Sequence, residues 1–258
     1  MPHENAVSNY NSLQATIDKR FSHGFNFSFD YVWSHFLSDI DSSGWGSHAG
    51  TQNVQNSFDP AANYGNSNFD VRNAFKGSAL YELPFGKGRQ FLNSSGLLDA
   101  FIGGWQTSGT IVLQSGQPFT PTMASGTNSF SLAGNNFAWY PNQIGNPILS
   151  HRGVSQWFNE AAFAVPASGT FGNVRRNQLF GPGFDLINLS LGKTFDIWEQ
   201  VRMQIRVDAD NAFNHPNFSE PSTNLQVGSN GAITTGTSQI TGLSNPTRAL
   251  QLSARITF

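Results

Sequence analysis

The chain has 258 residues and a net charge of −2, so long-range charge favours neither nucleic acid nor an anionic surface as a partner. Only 12% of its residues are charged, against roughly 25% in an average soluble domain, while 13% are aromatic, led by 23 Phe. There is no Cys, which excludes disulfide frameworks, Cys-ligated metals and a Cys nucleophile.

No run of about 18 apolar residues offers a transmembrane helix. The opening MPHENAVSNYNSLQ has no basic region followed by an apolar core, so any export signal is expected upstream of it. From there on, period two dominates. Leu13, Ala15, Ile17 and Phe21 alternate with Gln14, Thr16, Asp18 and Arg20. After Ser22-His23-Gly24, Phe25, Phe27, Phe29, Tyr31 and Trp33 alternate with Asn26, Ser28 and Asp30, which predicts a hairpin. The same rhythm returns in Phe75–Leu83, Trp105–Leu113, Ile187–Phe195, Val201–Ala209 and Leu250–Phe258. The spacing predicts seven strands, near 10–21, 25–36, 71–84, 102–116, 184–195, 200–213 and 248–258. No helical period competes over a comparable length.

Several of these strands exceed the usual 5–6 residues, and a tilted strand of about 9–11 residues crosses the hydrocarbon of a bilayer. Short links (21 to 25, 195 to 200, and a middling one from 84 to 102) alternate with long ones (36 to 71, 116 to 184, 213 to 248). That is the pattern of outer-membrane barrels, with short turns inside and long loops outside. The expected fold is therefore all-β, an antiparallel up-and-down transmembrane β-barrel segment.

Apolar side chains are expected to face lipid. Asp18, Arg20, Asp30, Lys76, Glu82, Arg202, Arg206, Asp208, Asp210 and Arg255 are expected to face the interior. Lys19 and Lys193 break the rule near the inner rim, where their stems are expected to snorkel. Phe258 is read as a periplasmic-rim anchor in a girdle with Phe21, Phe25, Trp105, Phe195 and Trp198. Tyr10, Trp33, Phe69 and Phe213 are expected at the outer rim. Seven is an odd number, whereas closed bacterial barrels have even counts, so a part of a larger barrel is expected.

Particular segments carry a resemblance. They are NYNSLQATIDKRFSHGFNFSFDYVWSHFLSDID, FDVRNAFKGSALYELPFGKGRQF, GGWQTSGTIVLQSGQPFTP, FNEAAFAVPASGTFGNVRRNQLFGPGFDLINLSLGKTF and DADNAFNHPNF. In this order they resemble the TonB-dependent receptor-like outer-membrane proteins with an N-terminal carboxypeptidase-regulatory-like domain, the Oar group. The resemblance implies a barrel of about 22 strands with an N-terminal plug, energised through TonB. It further implies that residues 1–258 correspond to the C-terminal part, with plug and regulatory-like domain absent. The final strand ending in Phe resembles the signal read by the barrel-assembly machinery. Implied partners are outer-membrane lipid, that machinery, and TonB where an upstream plug exists.

Sharper chemical readings are thin. Asp39-Ile40-Asp41-Ser42-Ser43-Gly44 opens like a calcium loop, but position twelve is Gly50 rather than Glu, so a polar loop is expected. Gly86-Lys87-Gly88-Arg89 lacks the spacing of a phosphate loop and reads as a turn. The six His form no ligand pair, and no G-x-S-x-G elbow supports a catalytic triad. No catalytic, metal or cofactor residue is therefore assigned, and no enzyme activity is expected. Candidate ligand contacts in the long loops are Trp45, Trp139, Tyr140, Arg175 and Arg176. Packing between loops is the alternative for the aromatics, and pairing with interior acids for the two arginines. The expected function is TonB-dependent uptake of a bulky ligand. The competing expectations are a soluble secreted β-sandwich binding module and an outer-membrane hydrolase.

Overall fold

The computed structural model describes residues 6–39, 41, 55–56, 59–93, 96–123, 139–198 and 201–258. Seven long strands dominate it: β1 (Ser8–Ser22), β2 (Phe25–Ser38), β3 (Asn73–Glu82), β4 (Trp105–Gln114), β5 (Phe184–Trp198), β6 (Val201–Asp210) and β7 (Ala249–Thr257). They lie side by side in chain order in one sheet, and all six pairings between neighbours are antiparallel. Each predicted strand is present. The third, fourth, sixth and seventh are shorter than the alternation alone predicts, because their terminal residues leave the ladder, and the first, second and fifth run on past the predicted ends. A short helix, α1 (Leu97–Ile102), occupies the middling link.

Register explains why alternation was the informative signal. Leu13 lies opposite Trp33, Tyr31 opposite Phe75, and Phe75 opposite Leu113. Ile187 lies opposite Ile111, Leu191 opposite Val207, and Val207 opposite Leu252. Apolar residues therefore meet apolar residues across the pairings of all seven strands. A slip of one residue at any pairing would turn a strand's apolar set to the other side. Phe29 lies directly on Gly77, where an added Cβ would come within 2.1 Å of the ring, and it stacks on Phe75 at 5.7 Å. The glycine gives the ring a bare stretch of backbone to cover.

That apolar surface is uncovered. Leu189 is 42% exposed, Ile205 36% and Leu252 73%, although all are mid-strand. In a soluble β-sandwich these side chains would be packed under a second sheet. Among the described residues the remaining sheets are two-stranded, with strands of two residues each. The buried apolar cluster lies elsewhere, in the long loops.

The opposite face is polar and internally bonded. Thr16 donates to Asp30 at 2.6 Å, and Arg206 donates to Asp208 at 2.7 Å and to Ser190 at 2.9 Å. Ser78, Ser108, Thr110, Asn188 and Asp208 line part of a hollow of about 550 Å³ there.

At one end the turns are tight. His23 and Gly24 have φ of 54° and 77°, the positive pair of a two-residue hairpin turn whose twist suits the strands. Lys19 donates to the Ser22 and Phe25 carbonyls, each at 3.2 Å. Lys193 departs from the snorkelling expectation. It is buried between the rings of Trp105 and Phe195 and donates to the Phe101 carbonyl at 3.1 Å, at the end of α1. Helix carbonyls without an internal partner accept its ammonium, so the charge is satisfied without reaching water.

Placing a charge on the bare face tests what that face meets. Leu189→Arg is expected to cost about 2–4 kcal/mol in vesicle-embedded protein, read by denaturant unfolding. Ser108→Arg, on the polar face, should cost far less. Equal penalties for the two would show that the faces do not differ in solvent.

Candidate functional site: the folded loop layer

The long connections all leave the sheet at the end opposite the tight turns, and their described residues fold into a second body. Phe119, Phe158 and Phe163 pack together, with successive centroids 5.7 Å and 5.9 Å apart, and Tyr140, Ala162, Val174, Leu179 and Leu225 complete the buried cluster. Three short ladders stitch it: Pro118–Phe119 with Leu179–Phe180, Asn142–Gln143 with Phe163–Ala164, and Thr122–Met123 with Asn224–Leu225. The last of these joins the 116–184 connection to the 213–248 connection.

Polar side chains then cross-brace the loops. Asp41 accepts from Ser38 at 2.7 Å, Ser67 at 3.0 Å and the Asn68 amide at 2.7 Å, and it pairs with Arg176. Asn66 and Asn177 exchange side-chain-to-carbonyl bonds, each at 2.8 Å. Gln55 acts as a one-residue strand, accepting from the Tyr140 and Gly172 amides at 3.2 Å and donating to the Gly172 carbonyl at 2.9 Å. Glu160 is fully buried and accepts from the Thr237 amide at 2.6 Å, with the Gly236 and Ser238 amides beside it. A carboxylate held by backbone N–H groups is a strong tie because the charge shortens and strengthens each bond.

The ligand-contact candidates separate sharply. Arg176 is 2% exposed and bound to Asp41, and Tyr140 is 7% exposed within the aromatic cluster. Trp139 is half-buried and Arg175 is exposed. Trp45 and positions 42–50 lie outside the described residues. Of the five, Arg175 and Trp139 alone are seen with substantial surface open to solvent. Phe258 is 96% exposed at the tight-turn end, on the same rim as the exposed Phe21, Phe101 and Trp198. Tyr10, Trp33, Phe69 and Phe213 are exposed at the other end.

Burial pulls the Arg176 guanidinium below its ordinary value, and Asp41, Tyr140 and Asp39 push it back up. An arginine stays charged regardless, so the Asp41–Arg176 pair is ionic. Burial raises the Tyr140 phenol, against the pull of Arg176 and a hydrogen bond with Thr120. Asp41, the second acid of the calcium-like opening, spends its oxygens on protein donors. Among the described residues no group of three or more His, Asp or Glu is placed to hold a metal.

The bare apolar face, polar reverse and loop layer at one end agree with what comparison shows: residues 2–251 match the outer membrane beta barrel domain. The chain belongs to that family. No curated protein and no solved structure matches it. As an outer membrane beta barrel domain the chain is an outer-membrane protein, and the leucines and isoleucines on the bare face of its long strands meet hydrocarbon. Sequence reasoning missed Glu160 and Gln55 altogether. The single signal available was a lone Glu between Phe158 and Phe163 in a stretch otherwise poor in charge.

Removing one partner of a buried ion pair costs more than removing both. Asp41→Ala is expected to cost about 3–5 kcal/mol and to open the 116–184 loop to limited proteolysis while the strands stay protected. Asp41→Asn combined with Arg176→Met, which keeps an acceptor for the Ser67 and Asn68 donors, should lose much less. A double variant as labile as the single one would overturn this account of the brace.

The raised Tyr140 phenol stabilises the fold below about pH 10, the unfolded value. That contribution is lost as pH rises through the higher folded value. Absorbance at 295 nm should show one tyrosine ionising late, and Tyr140→Phe should remove that late step. An unchanged titration in the variant would contradict the burial.

Proposed function

We propose that the chain is the C-terminal portion of a larger barrel receptor that takes up a bulky ligand across the outer membrane with energy from TonB. The observation that carries this is the pairing of a hydrocarbon-facing wall with a polar, hollowed inner wall, roofed at one end by a folded loop layer. A receptor needs those parts in that order: an outward surface for capture, a hydrated path behind it, and a lipid seal around both. The resemblance of the segments quoted above to the TonB-dependent, Oar-like proteins supplies the energy source. Outer-membrane lipid and the barrel-assembly machinery, reading the final strand, are the other partners. TonB engages only through a plug segment upstream. Arg175, Trp139 and Trp45 are the loop residues that would meet the ligand, with Tyr140 and Arg176 holding the layer behind them.

The test compares two deletions, of this gene and of tonB, in growth on a panel of oligosaccharides and iron chelates too large for general porins. The expected result is that every nutrient lost with this gene is also lost without TonB. A nutrient that requires this gene and is still used in the tonB deletion would sink TonB-dependent uptake and leave the outer-membrane assignment intact.

A further inference from the structure

Two of the short connections are tight turns, but the link between β3 and β4 carries structure of its own. The Gly86 amide donates to the Phe91 carbonyl at 3.1 Å and the Phe91 amide to the Pro84 carbonyl at 2.9 Å, which closes the start of the link into a loop. Asp99 of α1 accepts the Lys87 amide through Oδ1 at 2.6 Å. Gly86 and Gly103 approach so closely that a Cβ added to either would lie 2.6 Å or 2.5 Å from that same oxygen. α1 is fastened in turn to the wall. Trp105 and Lys193 lie opposite each other on the apolar side of β4 and β5, and both donate to the Phe101 carbonyl, at 3.0 Å and 3.1 Å. The link therefore sits over the hydrocarbon-facing side at its rim. Phe91, Leu92, Phe101 and Trp198 form an exposed apolar collar there.

Between the link and the end of β5 lies a hollow of about 340 Å³ whose walls carry charges of both signs. Lys87 and Arg89 come from the link, Asp99 from α1 and Asp196 from β5. Among the described residues the Lys87 ammonium has no hydrogen-bond or ion-pair partner. Arg89 pairs with Glu82 at 2.9 Å and Asp196 with Arg202 at 3.2 Å, but all four side chains have solvent access, and such pairs hold weakly. A purely anionic ligand would meet Asp99 and Asp196. A purely cationic one would meet Lys87 and Arg89. A zwitterion satisfies both sets. Short turns of outer-membrane barrels face the periplasm, so this rim lies among the headgroups of the inner leaflet, with the apolar collar beside it for the chains.

We infer that this hollow holds the headgroup of one zwitterionic aminophospholipid of the inner leaflet, of the phosphatidylethanolamine type. Its phosphate meets Lys87 and Arg89, its primary ammonium meets Asp99 and Asp196, and its chains lie against Phe101 and Trp198. Both ends then make charge-assisted hydrogen bonds. The hollow has room for roughly ten water-sized groups, and the headgroup has about eight heavy atoms. A choline headgroup keeps the positive charge but has no N–H to donate to the carboxylates. A glycerol headgroup keeps the phosphate and has no cation at all. Ethanolamine is therefore selected over both. The inference stands on the outer-membrane family and is independent of the uptake reading. It adds one specific lipid where the face rule requires only hydrocarbon.

The full chain is reconstituted in vesicles of equal parts phosphatidylethanolamine, phosphatidylglycerol and phosphatidylcholine with matched acyl chains. It is then extracted in mild detergent, and the lipid it retains is counted by native mass spectrometry. Phosphatidylethanolamine should be retained over each of the other two. Lys87→Gln breaks no side-chain contact, and Asp99→Asn keeps an oxygen for the Lys87 amide. Each should lower ethanolamine-lipid retention about tenfold, the loss of one charge-assisted contact. Arg248→Gln, an exposed change at the loop end, should retain as much as the parent chain. Protease protection of the strands in the vesicles checks that the variants are folded alike. Glycerophosphoethanolamine, which has the headgroup without the chains, should not displace the lipid at equal concentration. Equal retention of the three lipids would overturn the inference. So would unchanged retention in both variants, or displacement by the soluble headgroup.

Discussion

Hydrocarbon offers no hydrogen bond, and that one fact organises this molecule. Each strand must give its amides and carbonyls to its neighbours, which forces long strands, adjacency in chain order and antiparallel ladders. Once the ladder is fixed, the side chains have no choice of side. Alternation then becomes an address: odd-numbered residues of β1 and β2 go to lipid, even-numbered ones to the interior. The aromatic row Phe25, Phe27 and Phe29, with centroids 5.4 Å and 5.2 Å apart, is a product of that address. So is the polar set of Ser190, Arg206 and Asp208 behind it.

The low charge content follows from the same division. Away from its rim one face of the sheet admits no charge, and the other admits few, because neighbouring polar side chains already bond one another. The loop layer could have been a charged, solvated surface, yet it is built from Asn, Gln, Ser and Gly around a small aromatic cluster. Its buried charges are used as braces. Glu160 collects the amides of one turn, and Asp41 gathers donors from Ser38, Ser67, Asn68 and Arg176. Gly172 lets the chain run so close to Tyr140 that an added Cβ would meet its carbonyl oxygen at 2.0 Å, and the Gln55 amide closes that approach. Side-chain amides thus do for the loops what backbone ladders do for the wall.

The wall was legible in the sequence and the layer above it was not, for a physical reason. A strand repeats every two residues, so Leu250, Leu252, Ala254 and Ile256 declare their side without knowledge of any other segment. The loop contacts join residues far apart in sequence, such as Gln55 with Gly172 or Glu160 with Thr237, and no local period marks them. Phe119, Phe158 and Phe163 are visible as aromatic residues in the long loop, but sequence does not say that they meet. Arg175 and Arg176 show the limit most plainly. They are identical neighbours, and folding sends one to solvent and the other to Asp41. Lys193 was legible as an exception to the face rule, but its partner was not. The carbonyls it needs belong to a helix of only six residues, too short to leave a period.

The braces bear on how anything passes the outer end. Asp41 ties the first long loop to the second, and Glu160 ties the second to the third. The parallel ladder between Thr122–Met123 and Asn224–Leu225 repeats the second tie. Swinging one loop aside therefore breaks a buried ion pair or strips a carboxylate of its amides, each a cost of several kcal/mol. Moving the braced parts together breaks none of these contacts. The layer is tied to the wall at strand ends, as where Arg176 donates to Ser38 at the end of β2 and Asn217 clamps the Asp185 amide and carbonyl near the start of β5 at 2.7 Å and 2.9 Å. On the uptake reading proposed above, a ligand would pass more cheaply at the margin of the braced layer than through its middle. On that same reading exposed residues such as Arg175 would meet it before the buried aromatic centre does.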